Sequence, residues 1–285
     1  FMEGIARNQS IRALTGVHLG DNVSEAFVRA LGSLTQLEEL VYGCNNLGPN
    51  GFSSTLGTLL ESGALKLKKL LLFENDMGED GVASLANGLK SIGPSLKALG
   101  LTNNSIGNEG LSALVAALAN CTSLEELDLS CNDFSMASAG LGSLSDLFQA
   151  SVLNLNKLSL LGCQMNDEGL QALAEGATNH CKDLDLSGND SITALGLRYL
   201  STSLQSESCR LEKLDLGWMG IGDDGAGVLA RGLVGNKVLR CLELSSEFED
   251  DIAITPVGWS ALSTALCDTS SVINTYLSNH TICDI

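Results

Sequence analysis

Three histidines, nine cysteines and thirty-four carboxylates are the groups on which this chain could build chemistry. His18, His180 and His280 stand far apart in sequence, and no G-x-S-x-G, P-loop or H-E-x-x-H motif accompanies them. Cys–His nucleophilic catalysis needs a close pair, which their positions do not suggest, so no enzyme active site is expected. The cysteines are odd in number and scattered, with neither C-x-x-C nor paired Cys/His spacing, which argues against a zinc site. Reduced thiols in a cytosol-like, intracellular compartment are the expectation. Six N-x-S/T sequons, at Asn8, Asn22, Asn103, Asn120, Asn189 and Asn279, keep a secreted alternative open.

The carboxylates recur in pairs: Glu79-Asp80, Asn108-Glu109, Asp167-Glu168 and Asp223-Asp224. Calcium is one reading, but the pairs lie a repeat apart and lack EF-hand spacing. A place in the first turn of a helix, against its dipole and free N–H groups, explains them instead. No metal and no cofactor is assigned.

The 285 residues carry 34 acidic and 16 basic side chains, a formal net charge of −18, which argues against nucleic acid or an anionic membrane as partner. A hydrophobic content of 44% is too high for disorder, and no stretch approaches the roughly 20 apolar residues a bilayer span requires. The start, Phe1-Met2-Glu3-Gly4, lacks the basic region and apolar run of a leader, although a chain beginning with Phe is compatible with one already removed.

What must position any site is a repeat. Leu67-Lys-Lys-Leu70-Leu-Leu72-Phe-Glu-Asn75 returns as Leu96-Lys-Ala-Leu99-Gly-Leu101-Thr-Asn-Asn104, and again from Leu37, Leu124, Leu155, Cys181, Leu211 and Leu239, with looser copies from Leu14 and Val272. Ten copies between Leu14 and Val272 have a mean period of about 28.7 residues. Alternation in each copy predicts a strand with Leu70 and Leu72 inward and Leu71 and Phe73 outward. Apolar residues four apart then predict a helix, as at Gly81, Leu85 and Leu89 or Gly225, Leu229 and Leu233. Stacked copies would join their strands into a parallel sheet, and because helices need more room than strands the stack must curve with the sheet inside. The expected fold is an α/β solenoid, a horseshoe of about ten repeats with concave strands and convex helices. Asn22, Asn45, Asn75, Asn104, Asn132 and Asn189 end the pattern and should pair backbone groups where the chain leaves the sheet, with Cys163 as an alternative and Met219, His280 and Glu247 departing from the rule. Asn22 and Asn189, so placed, would have no room for a glycan.

These repeats resemble the ribonuclease-inhibitor-like class of leucine-rich repeat proteins, whose relatives include ribonuclease inhibitor, the Ran GTPase-activating protein and the sensor regions of nucleotide-binding immune receptors. The resemblance covers nearly the whole chain and implies protein binding rather than one chemistry. Residues 1–285 read as a single leucine-rich repeat domain. Neither end carries an evident polar cap, which suggests a fragment or ends covered by another segment or subunit. The repeat from Leu239 to Val272 is long, and Ser245–Ile252 would protrude from it with Glu247, Phe248, Glu249, Asp250 and Asp251.

The outward position between the inner leucines reads His18, Val41, Leu71, Gly100, Asp128, Ser159, Asp185, Asp215, Glu243 and Tyr276. Like charges on adjacent strands are unfavourable, so the carboxylate run asks for a cationic partner. A neighbouring row, Glu126, Lys157, Asp183 and Lys213, alternates in sign as a self-neutralising ladder should. Trp218 and Tyr276 are the candidate aromatic anchors. Val41, Leu71 and Phe73 form a candidate second, apolar footprint. The reading is a non-catalytic interaction module or scaffold that binds a basic or mixed-charge protein surface on Asp128, Asp185, Asp215, Trp218 and Glu243, with neither nucleic acid nor membrane insertion. A GTPase-activating protein resembling the Ran activator is the alternative, and a structural subunit of a larger assembly a further one.

Overall fold

In a computed structural model the described residues are 10–19, 21–45, 56–153, 155–244 and 254–267, with isolated positions 7, 8, 48, 270, 279, 281 and 282. They fall into two compact units, Phe1–Asp133 with Val152–Leu155, and Phe134–Ser151 with Asn156–Ile285.

The first unit carries strands β1 (Ala13–Val17), β2 (Glu39–Gly43), β3 (Lys69–Leu71), β4 (Ala98–Gly100) and β5 (Glu126–Asp128). They are parallel and paired in chain order, with Leu14, Leu40, Leu70, Leu99 and Leu127 opposite one another. The helices between them are α1 (Asp21–Leu31), α2 (Thr58–Glu61), α3 (Gly78–Ile92) and α4 (Asn108–Leu118). The second unit opens with α5 (Ser138–Gln149) and continues through β6 (Lys157–Ser159), α6 (Asp167–His180), β7 (Asp183–Asp185), α7 (Ala194–Leu204), β8 (Lys213–Asp215), α8 (Gly222–Leu233), β9 (Cys241–Glu243) and α9 (Pro256–Leu266). Its strands are again parallel and sequential, with Leu158, Leu184, Leu214 and Leu242 in register. Leucines of the strand ladder, such as Leu184 and Leu214, and leucines four residues apart on the helices, such as Leu200 and Leu204, are buried alike and make up the apolar interior. Neither surface could be covered by one repeat alone, and this shared burial drives the stacking.

The polar ladder follows the sequence pattern from Asn45 onward. Asn132, 3% exposed, donates to the carbonyls of Leu101 (3.0 Å) and Leu129 (2.7 Å) and accepts from the N–H groups of Asn104 and Ile106, both at 3.0 Å. Asn45 and Asn189 likewise donate to a carbonyl of the preceding copy and one of their own turn, and each accepts from one N–H of the preceding copy, Leu19 and Met165. Each amide thus satisfies donors and acceptors that the turn away from the sheet removes from water.

The first copy departs from expectation. Leu14, not Val17, lies opposite Leu40, so that copy starts three residues earlier, at Ile11. Both registers offer alternating apolar residues; packing chooses between them. Tyr42 and Phe27 stack at 5.1 Å, and Gly16 leaves them room, since a Cβ there would lie 3.0 Å from Phe27 and 3.1 Å from Tyr42. Consequently Thr15, not His18, shares the outward row with Val41. Asn22 is no ladder residue either: it falls within α1, and Leu19 takes the ladder place, its N–H donating to Asn45 Oδ1. The steric argument against a glycan therefore lapses for Asn22 and holds for Asn189, which is fully buried.

Candidate functional site

The strands β1 to β8 each end in a turn of the same shape. Three residues past the outward position, the backbone enters the left-handed region at His18, Cys44, Glu74, Asn103 and Cys131 in the first unit, and at Gly162, Gly188 and Trp218 in the second. Glycine or a short polar residue suits that conformation, whereas an indole there is unusual. Trp218 has φ 53° and remains 46% exposed.

In the second unit the outward row is Ser159, Asp185, Asp215 and Glu243, in register. Its members differ in how they are held. Asp185 Oδ1 accepts from the Ser187 N–H (3.1 Å) and hydroxyl (2.5 Å), and its Oδ2 accepts from the Ser159 hydroxyl (2.9 Å). Asp215 Oδ1 accepts from the Gly217 N–H at 3.0 Å, because glycine stands where Asp185 has its serine. Burial raises the Asp215 carboxyl above its ordinary value, and Asp185 and Glu243 push the same way against the Gly217 N–H and Lys213. In the first unit, Asp128 ends β5 in the manner of Asp185: Ser130 N–H and hydroxyl bind Oδ1 at 3.0 and 2.6 Å, and the Thr102 hydroxyl binds Oδ2 at 3.0 Å. The serine two residues on is what the sequence reading missed. Asp128-Leu-Ser130 and Asp185-Leu-Ser187 carry the signal in plain view, an aspartate whose side chain closes a turn on the backbone two residues later. Asp128 and Asp185 are therefore turn-closing groups, and Asp215 is the aspartate of the row with the fewest internal partners among the described residues.

Three members of the alternating row appear in the second unit, where Lys157, Asp183 and Lys213 are in register; in the first unit Glu126 pairs with uncharged Ala98. Burial raises Asp183 despite the two flanking lysines. The apolar footprint is also assembled within the first unit. Val41 and Leu71 are register neighbours, Leu71 leans over Gly100, and the Phe73 ring lies against Gly43, where any Cβ would overlap it. All three side chains are half-buried. Tyr276, His280 and the Glu247–Asp251 segment lie outside the described residues, as do residues 271–278 of the tenth copy.

The acidic pairs lie in the first turns of their helices, as expected, but two of their members also reach the next helix. Asp167, in the first turn of α6, does not cap its own helix. Its Oδ1 accepts from the N–H groups of Thr193 (2.7 Å) and Gly196 (2.9 Å), and its Oδ2 from the Thr193 hydroxyl (2.7 Å), at the start of α7. Asp223 of α8 repeats this on Thr255 and Gly258 of α9, at 2.8 and 3.0 Å to the N–H groups. The Thr255 hydroxyl bond, ahead of the N–H bonds, lowers the Asp223 carboxyl. Alternate helices are thus stapled to the next one by a carboxylate, a tertiary contact between residues about a repeat apart. Among the described residues no group of three or more His, Cys, Asp and Glu side chains could hold a metal ion, and no helix is long and apolar enough to cross a membrane.

Parallel strands in unbroken order, an apolar ladder, an asparagine ladder and one helix per copy define a leucine-rich repeat solenoid. A family model described as Leucine Rich repeat matches residues 94–115, 120–141, 153–174, 179–201 and 207–230. Mouse ribonuclease inhibitor is 30% identical over 214 residues, 72% of this chain and 46% of that protein. Human NACHT, LRR and PYD domains-containing protein 12 is 31% identical over 66% of this chain and 18% of its own length. The chain is a leucine-rich repeat protein of the ribonuclease-inhibitor-like type, and it spans about half, or less, of these curated relatives. Among solved structures, the leucine-rich repeat protein LegL7 of Legionella pneumophila superposes with a TM-score of 0.53 at 17% identity, covering 96% of each chain. TLR13 in its complex with ssRNA13 gives 0.51 at 22% identity, over 92% of this chain and 32% of the other. At such identities the likeness concerns the fold.

Proposed function

We propose that this chain is a non-catalytic protein-binding module whose second unit receives a basic or mixed-charge protein surface on the row Asp185, Asp215 and Glu243, with Trp218 as an aromatic anchor beside it. Asp215 carries the argument: it stands between two carboxylates in register, its own carboxyl is raised, and a cation from a partner would relieve a repulsion that internal bonds leave in place. A half-exposed indole held on a left-handed turn adds a rigid apolar contact of the kind enriched at interface centres. Mouse ribonuclease inhibitor is by name an inhibitor of another protein, which favours the protein reading. The TLR13 structure contains single-stranded RNA, but a net charge of −18 on this chain opposes a polyanion.

Affinity capture with the wild-type chain and with an Asp215→Lys/Glu243→Lys variant tests the row. A partner retained by the first and lost by the second should associate more slowly as salt rises from about 20 to about 150 mM, because the Debye length shrinks from about 20 to 8 Å. An association rate indifferent to salt would sink the proposal.

A further inference from the structure

Among the described residues six large apolar side chains are exposed: Met136, Leu195, Trp218, Val234, Val257 and Trp259. All but Val234 lie where a strand leads into a helix or in that helix's first turn, on one rim of the second unit. The segments forming that rim contain no lysine or arginine, whereas Asp167, Glu168, Asp190, Asp223 and Asp224 all belong to it. Asp167 and Asp223 are consumed as staples. Glu168 and Asp224 point to solvent.

The positions just before the repeat glycine align across four successive, mutually packed helices as Glu168, Leu195, Asp224 and Val257. Carboxylate and apolar residue alternate, with Leu195 51% and Val257 70% exposed. Helix axes pack 8–10 Å apart, so like members of the row recur roughly every 16–20 Å. Isolated exposed leucines need no explanation, but a row of apolar residues interleaved with unpaired-sign charge is the complement of a segment that is both basic and apolar. We infer that this rim is a docking surface for an amphipathic basic helix of a partner protein, whose apolar side chains cover Leu195 and Val257 and whose lysines or arginines meet Glu168 and Asp224. The inference rests on the reading of the chain as a binder of a basic protein, and adds the surface, outside the strand row, that supplies the apolar part of the contact.

The test uses two labelled synthetic peptides of equal charge, a helical Leu/Lys peptide and a Ser/Lys peptide, with fluorescence anisotropy as readout. The Leu/Lys peptide should bind the wild-type chain about tenfold more tightly than the Ser/Lys peptide, and Leu195→Ser/Val257→Ser should lose about that factor. That variant alters exposed residues and no charge, so non-specific attraction to an acidic protein would leave its affinity intact. Equal affinity of the two peptides, or an unweakened double variant, overturns the inference. An Asp215→Lys chain separates the two surfaces: if it alone abolishes binding, the strand row stands and the rim falls, and if only the serine variant does, the reverse holds. A wild-type dimer in sedimentation that Leu195→Ser/Val257→Ser dissociates would assign the rim to a second copy and overturn the inference as well.

Discussion

Replacing Asp215 by asparagine should stabilise the protein, whereas the same change at Asp185 should destabilise it. The two residues are register neighbours at the same position of consecutive repeats, so their difference isolates what surrounds each carboxylate. Asparagine at 215 keeps an oxygen for the Gly217 N–H and removes repulsion from Asp185 and Glu243. Adjacent like-charge pairs cost about 0.2–1 kcal/mol each, and with the side chain half-exposed, solvent screening leaves a gain of about 0.5 kcal/mol. At 185 the charge-assisted bonds from the Ser187 and Ser159 hydroxyls weaken, a loss of about 1 kcal/mol. Urea unfolding at low salt reads both signs. The pH dependence follows from the direction of the shift. A carboxyl raised in the folded state contributes its stabilisation below its unfolded value, near 3.8, and loses it as pH rises through the higher folded value. The advantage of Asp215→Asn should therefore vanish below that pH and grow above it. Should Asp215→Asn destabilise as much as Asp185→Asn, the Gly217 bond holds Asp215 as firmly as the serine hydroxyls hold Asp185, and the case for a binding row loses its foundation.

Asn132→Ala should cost about 3 kcal/mol in urea unfolding, since it strands the buried N–H groups of Asn104 and Ile106, whereas Asn87→Ala, on the exposed side of α3, should change little. A loss below about 1 kcal/mol would mean that water replaces the amide. Burial raises the Cys121 and Cys181 thiols to about 12, so in the native protein at about pH 8 iodoacetamide should label the exposed Cys131 and Cys267 first, as peptide mass mapping would show. Equal labelling of Cys121 or Cys181 would contradict the packing.

Sequence periodicity alone determined the repeat, the inward leucines, the asparagine ladder from Asn45 onward and the outward positions from Val41 to Glu243, because alternation in a strand and four-residue spacing in a helix leave few ways to hide apolar side chains. It could not decide the register of β1, where Leu14 with Gly16 and Val17 with Leu19 satisfy the same alternation; the space demanded by the stacked Tyr42 and Phe27 rings decided that. Nor could it separate Asp185 from Asp215, since the distinction lies in a hydroxyl from the neighbouring strand and in a serine replaced by glycine. Asp167 and Asp223 look in sequence like caps of their own helices, yet they close the next helix, 26 to 35 residues away. Local pattern dictates which face each side chain takes; what that side chain meets there comes from another repeat, and only stacking brings the two together.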